Sequence, residues 1–178
     1  MNTFQGALSR GAFVTTVELS CKEEDQAGAL VRQASILTEH FDGVHLGEAP
    51  PAMAGISPTA LTALLLREGI DAIPTLSCRD RNRIALQSEI LGLKAIGATS
   101  IVLKRGDGGT VFSETMARPV FDVSARELIA MAQEIDETRL LLGTEAQVPA
   151  AGSDWSSANL LERAAAGARF LRLRPCPD

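Results

Sequence analysis

Along the chain, short runs rich in β-branched and aliphatic residues alternate with longer stretches whose apolar positions recur every three or four residues. The short runs predict strands over Phe13–Leu19, Asp42–Gly47, Asp71–Cys78, Ser100–Gly106, Arg139–Thr144 and Arg169–Arg174. The helical period predicts helices over Ala27–Phe41, Pro58–Glu68, Arg81–Gly97, Ala125–Asp136 and Ser157–Gly167. Local punctuation agrees: Ser57 before Pro58 reads as an N-cap with proline at the first helical position, and Ser124 and Glu127 have the spacing of a capping box. Asp80 is the expected N-cap of the charged helix start Arg79–Arg83, and Gly97 and Gly167 sit where helices stop. Steady β-to-α alternation ending in a sixth strand implies a parallel sheet with right-handed crossovers, either doubly wound or rolled into a barrel. Spacing alone does not choose between them.

Side-chain alternation along these strands separates a polar face from an apolar one. In the first strand Val14, Thr16 and Glu18 share a face, with Thr15, Val17 and Leu19 on the other; in the last, Phe170, Arg172 and Arg174 oppose Leu171 and Leu173. Helices cover the apolar face, so Glu18 and the arginines point into a barrel or toward solvent. The fourth strand ends in Arg105, Gly106 and Asp107. Polar residues from three strands therefore collect at strand C-termini, where α/β folds place their ligands. Taken alone, Asp107 reads as an Asp-Gly turn, and Glu18 as a solvent-facing carboxylate. Arg172 and Arg174 have three readings: anion binding inside a barrel, a wet exposed edge, or contact with a partner. His45 reads as a packed histidine, and Trp155 either covers a ligand or packs back on its own loop.

Composition narrows the class. The chain has 178 residues, 46% of them hydrophobic, which suits one domain spanning 1–178. No apolar run approaches a bilayer span and no signal-peptide core is present, so a cytoplasmic protein without membrane partners is expected. A net charge of −5 with scattered basic residues argues against nucleic acid. Cys21, Cys78 and Cys176, widely spaced and with only His40 and His45 as histidines, suggest neither a disulfide framework nor a metal site.

Several segments together resemble one family. "VTTVEL", "PTLSCRDRNRIALQSEILGLKAIG" (Pro74–Gly97), "IVLKRGD" (Ile101–Asp107), "VFDVSARELI" (Val120–Ile129) and "ERAAAGARF" (Glu162–Phe170) are similar, in this order, to segments of the methylenetetrahydrofolate reductase family. The most specific part is "SCRDRNR", then a helix, then a strand ending in "GD". The resemblance implies a parallel (β/α) barrel of TIM type, here incomplete with about six strands, since the chain corresponds to roughly two-thirds of a family barrel. It implies reduction of methylene-tetrahydrofolate to methyl-tetrahydrofolate with NADH or NADPH, directly or through FAD. A non-catalytic folate- or cofactor-binding subunit, or a fragment needing a partner chain, is the alternative.

By the same resemblance Glu18 is the acid that protonates the folate nitrogen as the five-membered ring opens, and Asp107 and Arg174 contact the folate. Thr75, Arg105, Gly106, Asn159 and Arg163 fall at cofactor positions, and Gln87 is structural. The sequence departs from the family pattern: the family commonly has His at Thr75, Tyr at Thr144, Lys at Arg163, and Thr-Gln at Leu173 and Arg174. An unpaired edge at the sixth strand implies a homo-oligomer or a partner chain there.

Overall fold

The computed structural model describes residues 3–20, 26–49, 54–107, 118–135, 139–147 and 156–174. Trp155, Cys21 and Cys176 lie outside these residues. The elements run in the order α1 (Phe4–Ser9), β1 (Thr16–Leu19), α2 (Ala27–Leu37), β2 (Gly43–Leu46), α3 (Pro58–Arg67), β3 (Ala72–Ser77), α4 (Arg83–Ile96), β4 (Ser100–Lys104), α5 (Ala125–Ile135), β5 (Leu141–Gln147), α6 (Ala158–Ala165) and β6 (Phe170–Arg174). All six strands are parallel and adjacent in sequence order, β1-β2-β3-β4-β5-β6. The alternating pattern dictates this order, because each helix returns the chain to start the next strand beside the last.

Two apolar clusters lie between the sheet and its helices. Leu19, Val44 and Leu46 meet Leu30, Ala34, Leu61 and Leu65 of α2 and α3. Leu76, Ile101, Leu103 and Leu142 meet Leu86, Ile90, Leu93, Leu128, Ile129 and Ala132 of α4 and α5. The opposite strand face curls around an interior of its own. Its lower part is apolar: Ile73 of β3 and Val102 of β4 pack with Phe4, Phe170, Val14 and Leu141.

Phe4 belongs to α1, an element that the hydrophobic period does not predict. The helix has only six residues, too few to display a period, yet Thr3 caps it through a bond from the Gly6 N–H at 3.0 Å. Its position is fixed by Asp71, whose carboxylate accepts the Phe4 N–H at 2.8 Å and the Thr99 hydroxyl at 2.8 Å. Burial nevertheless holds the Asp71 carboxyl above its ordinary pKa. The Phe4 ring meets Phe170 edge-on at 5.1 Å and His45 at 6.2 Å. Burying a phenylalanine contributes about 1.5–3 kcal/mol, so α1 closes the lower end of the interior as part of the core.

The predicted capping box and glycine stop are present, and two helix boundaries are corrected. Ser124 and Glu127 form the reciprocal capping box, with N–H to oxygen distances of 2.8 and 3.2 Å, and Gly97 ends α4 in the left-handed conformation at φ +85°. The N-cap of α4 is Asn82, not Asp80: the Asn82 side chain accepts the Ala85 N–H at 2.9 Å. Asp80 instead takes the Arg79 guanidinium through both carboxylate oxygens. The first strand candidate shortens to Thr16–Leu19, and α2 stops at Leu37 rather than Phe41.

Candidate functional site

At the C-terminal ends of the strands the interior changes from apolar to charged. Inward-facing positions are read directly from the register: Glu18 is level with His45, Gly143 with Phe170, and Glu145 with Arg172. Each strand delivers a polar residue: Glu18 from β1, His45 from β2, Thr75 and Ser77 from β3, Lys104 from β4, Glu145 from β5, Arg172 and Arg174 from β6. Asp107 follows β4.

These side chains form one ionic row. The Arg172 guanidinium donates to Glu145 through Nε at 3.0 Å and again through Nη2. Its Nη1 lies 3.5 Å from Glu18 Oε1, so a charge pair spans from β6 to β1, the two edges of the sheet. Arg174 Nε lies 3.4 Å from Glu145 Oε1, while its Nη1 and Nη2 donate to the Asp107 carboxylate at 3.2 and 3.4 Å. Lys104 Nζ sits 3.7 Å from Glu145. The Glu145 side chain is 8% exposed, whereas Glu18 and Asp107 are each 57% exposed. One buried acid therefore anchors the row, and the two exposed acids face whatever enters.

Below the row lie polar groups sealed from solvent. Among the described residues, the Thr75 and Ser77 hydroxyls and Nδ1 of His45 are buried without a hydrogen-bond partner. His45 has its pKa lowered to about 4, chiefly by burial and then by repulsion from Arg172, so the imidazole is neutral here. It is packed against Phe4, as its place on a strand suggests.

Gly106 holds the loop after β4 against β3. Its φ is +85°, and a Cβ there would stand 2.9 Å from Arg79 Cβ and 3.0 Å from Ser77 Cβ. Only glycine satisfies both the conformation and the close approach, and this contact brings Asp107 to the mouth. Beside it, Arg79 is occupied by Asp80 and by the Ala49 carbonyl at 3.1 Å, and Arg81 by Glu48 at 2.7 Å.

Among the described residues, the structure brings Glu18, Asp107 and Arg174 to one mouth. Arg105, Gly106 and Arg163 share with Asp107 and Arg174 a cavity of about 140 Å³. Asn159 lines an adjoining cleft of about 420 Å³ with Arg163 and Gln147. Thr75 stands apart inside the barrel. The remaining cofactor positions are engaged: the Arg105 guanidinium lies 4.3 Å from the Phe121 ring centre, and Arg163 donates to the Glu145 carbonyl at 2.8 Å. Thr75 is sealed beneath the ionic row, apart from the 140 Å³ cavity and the 420 Å³ cleft that the other cofactor candidates line. No group of three or more metal-ligating side chains occurs among the described residues, and none of their helices is long and apolar enough to cross a membrane. Cys78 is buried, and its thiol pKa is pushed up to about 11, mainly by that burial, which makes it unreactive.

Two residues with a place in this geometry escape the sequence pattern. Glu145 lies one position beyond the fifth strand candidate, and only continuing the alternation from Leu141 through Gly143 points it inward. Glu48 follows β2, where its nearly buried carboxylate accepts the Ser77 N–H at 3.1 Å and pairs with Arg81.

No family model and no curated protein matches this chain. Solved structures do. An uncharacterized protein from Clostridium thermocellum that binds two copies of 5-methyl-5,6,7,8-tetrahydrofolic acid superposes with a TM-score of 0.66 at 12% identity, over 98% of this chain and 58% of that one. The fold is a TIM-type half-barrel. A 2,3-dimethylmalate lyase of the PEP mutase/isocitrate lyase superfamily superposes at TM-score 0.59 and 13% identity, over 97% of this chain and 62% of that one. The chain spans about three-fifths of the length of these neighbours. At such identities the likeness concerns the fold.

Proposed function

We propose that the mouth of this half-barrel binds a reduced folate, and that the chain reduces methylene-tetrahydrofolate to methyl-tetrahydrofolate with hydride from a nicotinamide. The observation that carries this reading is the meeting of Glu18 and Asp107 at one mouth, joined through Arg172, Glu145 and Arg174. These are the two carboxylates that the family resemblance assigns to proton donation and to the folate, and they come from segments far apart in sequence. The structural neighbour that binds methyltetrahydrofolate supports the same ligand class.

In this reading the Asp107 carboxylate, exposed on one side, accepts N–H bonds from the pterin, while Arg174 holds its other side. Glu18 delivers a proton to the folate nitrogen as the bond from that nitrogen to the bridging carbon breaks. The iminium left on the other nitrogen accepts hydride at its carbon, which becomes the methyl group, and the nicotinamide leaves oxidised. Hydride comes from the nicotinamide in this reading, and no step is routed through FAD. The open sheet edge belongs to the same proposal: Leu171, Leu173 and Leu161 present an uncovered apolar surface beside β6, and a second copy or partner chain covers it.

Glu18→Gln tests the chemical step. NADH or NADPH oxidation that depends on methylene-tetrahydrofolate is lost while affinity for 5-methyltetrahydrofolate stays within about twofold, because the amide keeps the shape and removes the proton. Unchanged turnover removes Glu18 from the mechanism. Folate binding without turnover in the wild-type protein leaves a binding subunit in place of the reductase.

A further inference from the structure

We infer that Glu145 is the positioning residue of this mouth: it holds Arg172 beside Glu18 and Arg174 beside Asp107, and so sets how the two exposed carboxylates meet a ligand. The ligand half of this inference rests on the folate reading above; the geometric half does not.

Glu145 is the only acid of the row withdrawn from solvent, at 8% side-chain exposure, and it receives charge from Arg172, Arg174 and Lys104 together. Three cations on one carboxylate leave an excess of positive charge. Glu18 and Asp107 take up that excess, each through a guanidinium nitrogen of an arginine that Glu145 also holds. Arg172 and Arg174 lie two residues apart on the same face of β6, and parallel register sets Glu145 directly opposite Arg172. One carboxylate can therefore reach both guanidinium groups. Glu145 acts on Glu18 and Asp107 through the two arginines.

Without the Glu145 charge, Arg172 and Arg174 keep Glu18 and Asp107 as their remaining acidic partners and occupy the carboxylate faces that a ligand needs. Arg172 is held more firmly than Arg174, being 16% exposed against 38%, so the Asp107 side loosens first. A neutral variant thus weakens ligand binding through the two arginines.

The experiment combines Glu145→Gln with a background lacking both arginines, Arg172→Gln/Arg174→Gln, each variant checked for folding by circular dichroism. Glu145→Gln lowers affinity for 5-methyltetrahydrofolate by roughly tenfold in the wild-type background, the worth of one charge-assisted contact, and by less than about twofold in the arginine-free background. An equal loss in both backgrounds overturns the inference. A second readout needs no folate: side-chain Nε–H NMR signals of Arg172 and Arg174, protected from exchange in the wild-type protein, lose that protection in Glu145→Gln. If wild type fails to bind folate, the folate reading falls while this signal still decides the positioning claim; unchanged protection of both signals overturns it.

Discussion

Gly106→Ala separates two contributions that the loop before Asp107 combines. The backbone at Gly106 has φ +85°, and an added Cβ would lie 2.9 Å from Arg79 Cβ and 3.0 Å from Ser77 Cβ. Both neighbours are bonded directly to backbone, so neither can swing aside as a side-chain tip would. Left-handed alanine costs about 1–2 kcal/mol, and forced overpacking adds about 1–3 kcal/mol, giving a loss of about 2–5 kcal/mol. Gly97 supplies the control, with the same φ of +85° and nothing within 4 Å of its added Cβ. Gly97→Ala therefore costs only the conformational part, about 1–2 kcal/mol. Urea unfolding of the two variants, followed by circular dichroism, measures the difference. Equal losses within about 0.5 kcal/mol would refute the close-approach explanation. Because the same contact delivers Asp107 to the mouth, Gly106→Ala also weakens ligand binding, and Gly97→Ala does not.

Two other expectations follow from burial. His45 is neutral in the folded chain, with its pKa lowered from 6.5 to about 4, so its contribution is fully present above 6.5 and is lost as pH falls toward 4. Between about pH 7 and pH 5 the wild-type protein loses about 2 kcal/mol more stability than His45→Gln, measured by urea unfolding, and parallel pH profiles would exclude His45 as the cause. The apolar surface of Leu171 and Leu173 predicts self-association at the β6 edge, unless a separate partner chain takes that surface. In sedimentation equilibrium Leu171→Lys/Leu173→Lys shifts the wild-type protein toward monomer; an unaltered assembly, or a wild-type monomer, excludes a second copy at this edge.

The strand and helix order was legible because each helix carries its own apolar stripe and each strand a run of aliphatic residues. Alternation also gave the correct inward phase for Glu18, Arg172 and Arg174, since a period of two needs no tertiary information. Glu145 was hidden by a boundary: β5 continues to Gln147, past a threonine that reads as a strand end, because Arg172 and Arg174 pair with it across the register. Helix α1 was hidden for a different reason. Its order comes from Asp71 and from Phe170, residues remote in sequence, and a short segment with glycine at its third position carries no helical period. Asp80 and Asn82 are both good capping residues, and the choice fell to Asn82 because Arg79 claims the Asp80 carboxylate. The resemblance drew Glu18 and Asp107 into one site, and their actual link through two arginines and a buried glutamate is visible only in three dimensions.

Isothermal titration calorimetry with 5-methyltetrahydrofolate, on the wild-type chain and on Asp107→Asn, tests the folate-binding mouth most directly. Saturable binding to the wild-type protein, weakened roughly tenfold or more when the Asp107 charge is removed, is the predicted result. Absence of binding to the wild-type protein, or the same affinity in both proteins, would contradict it.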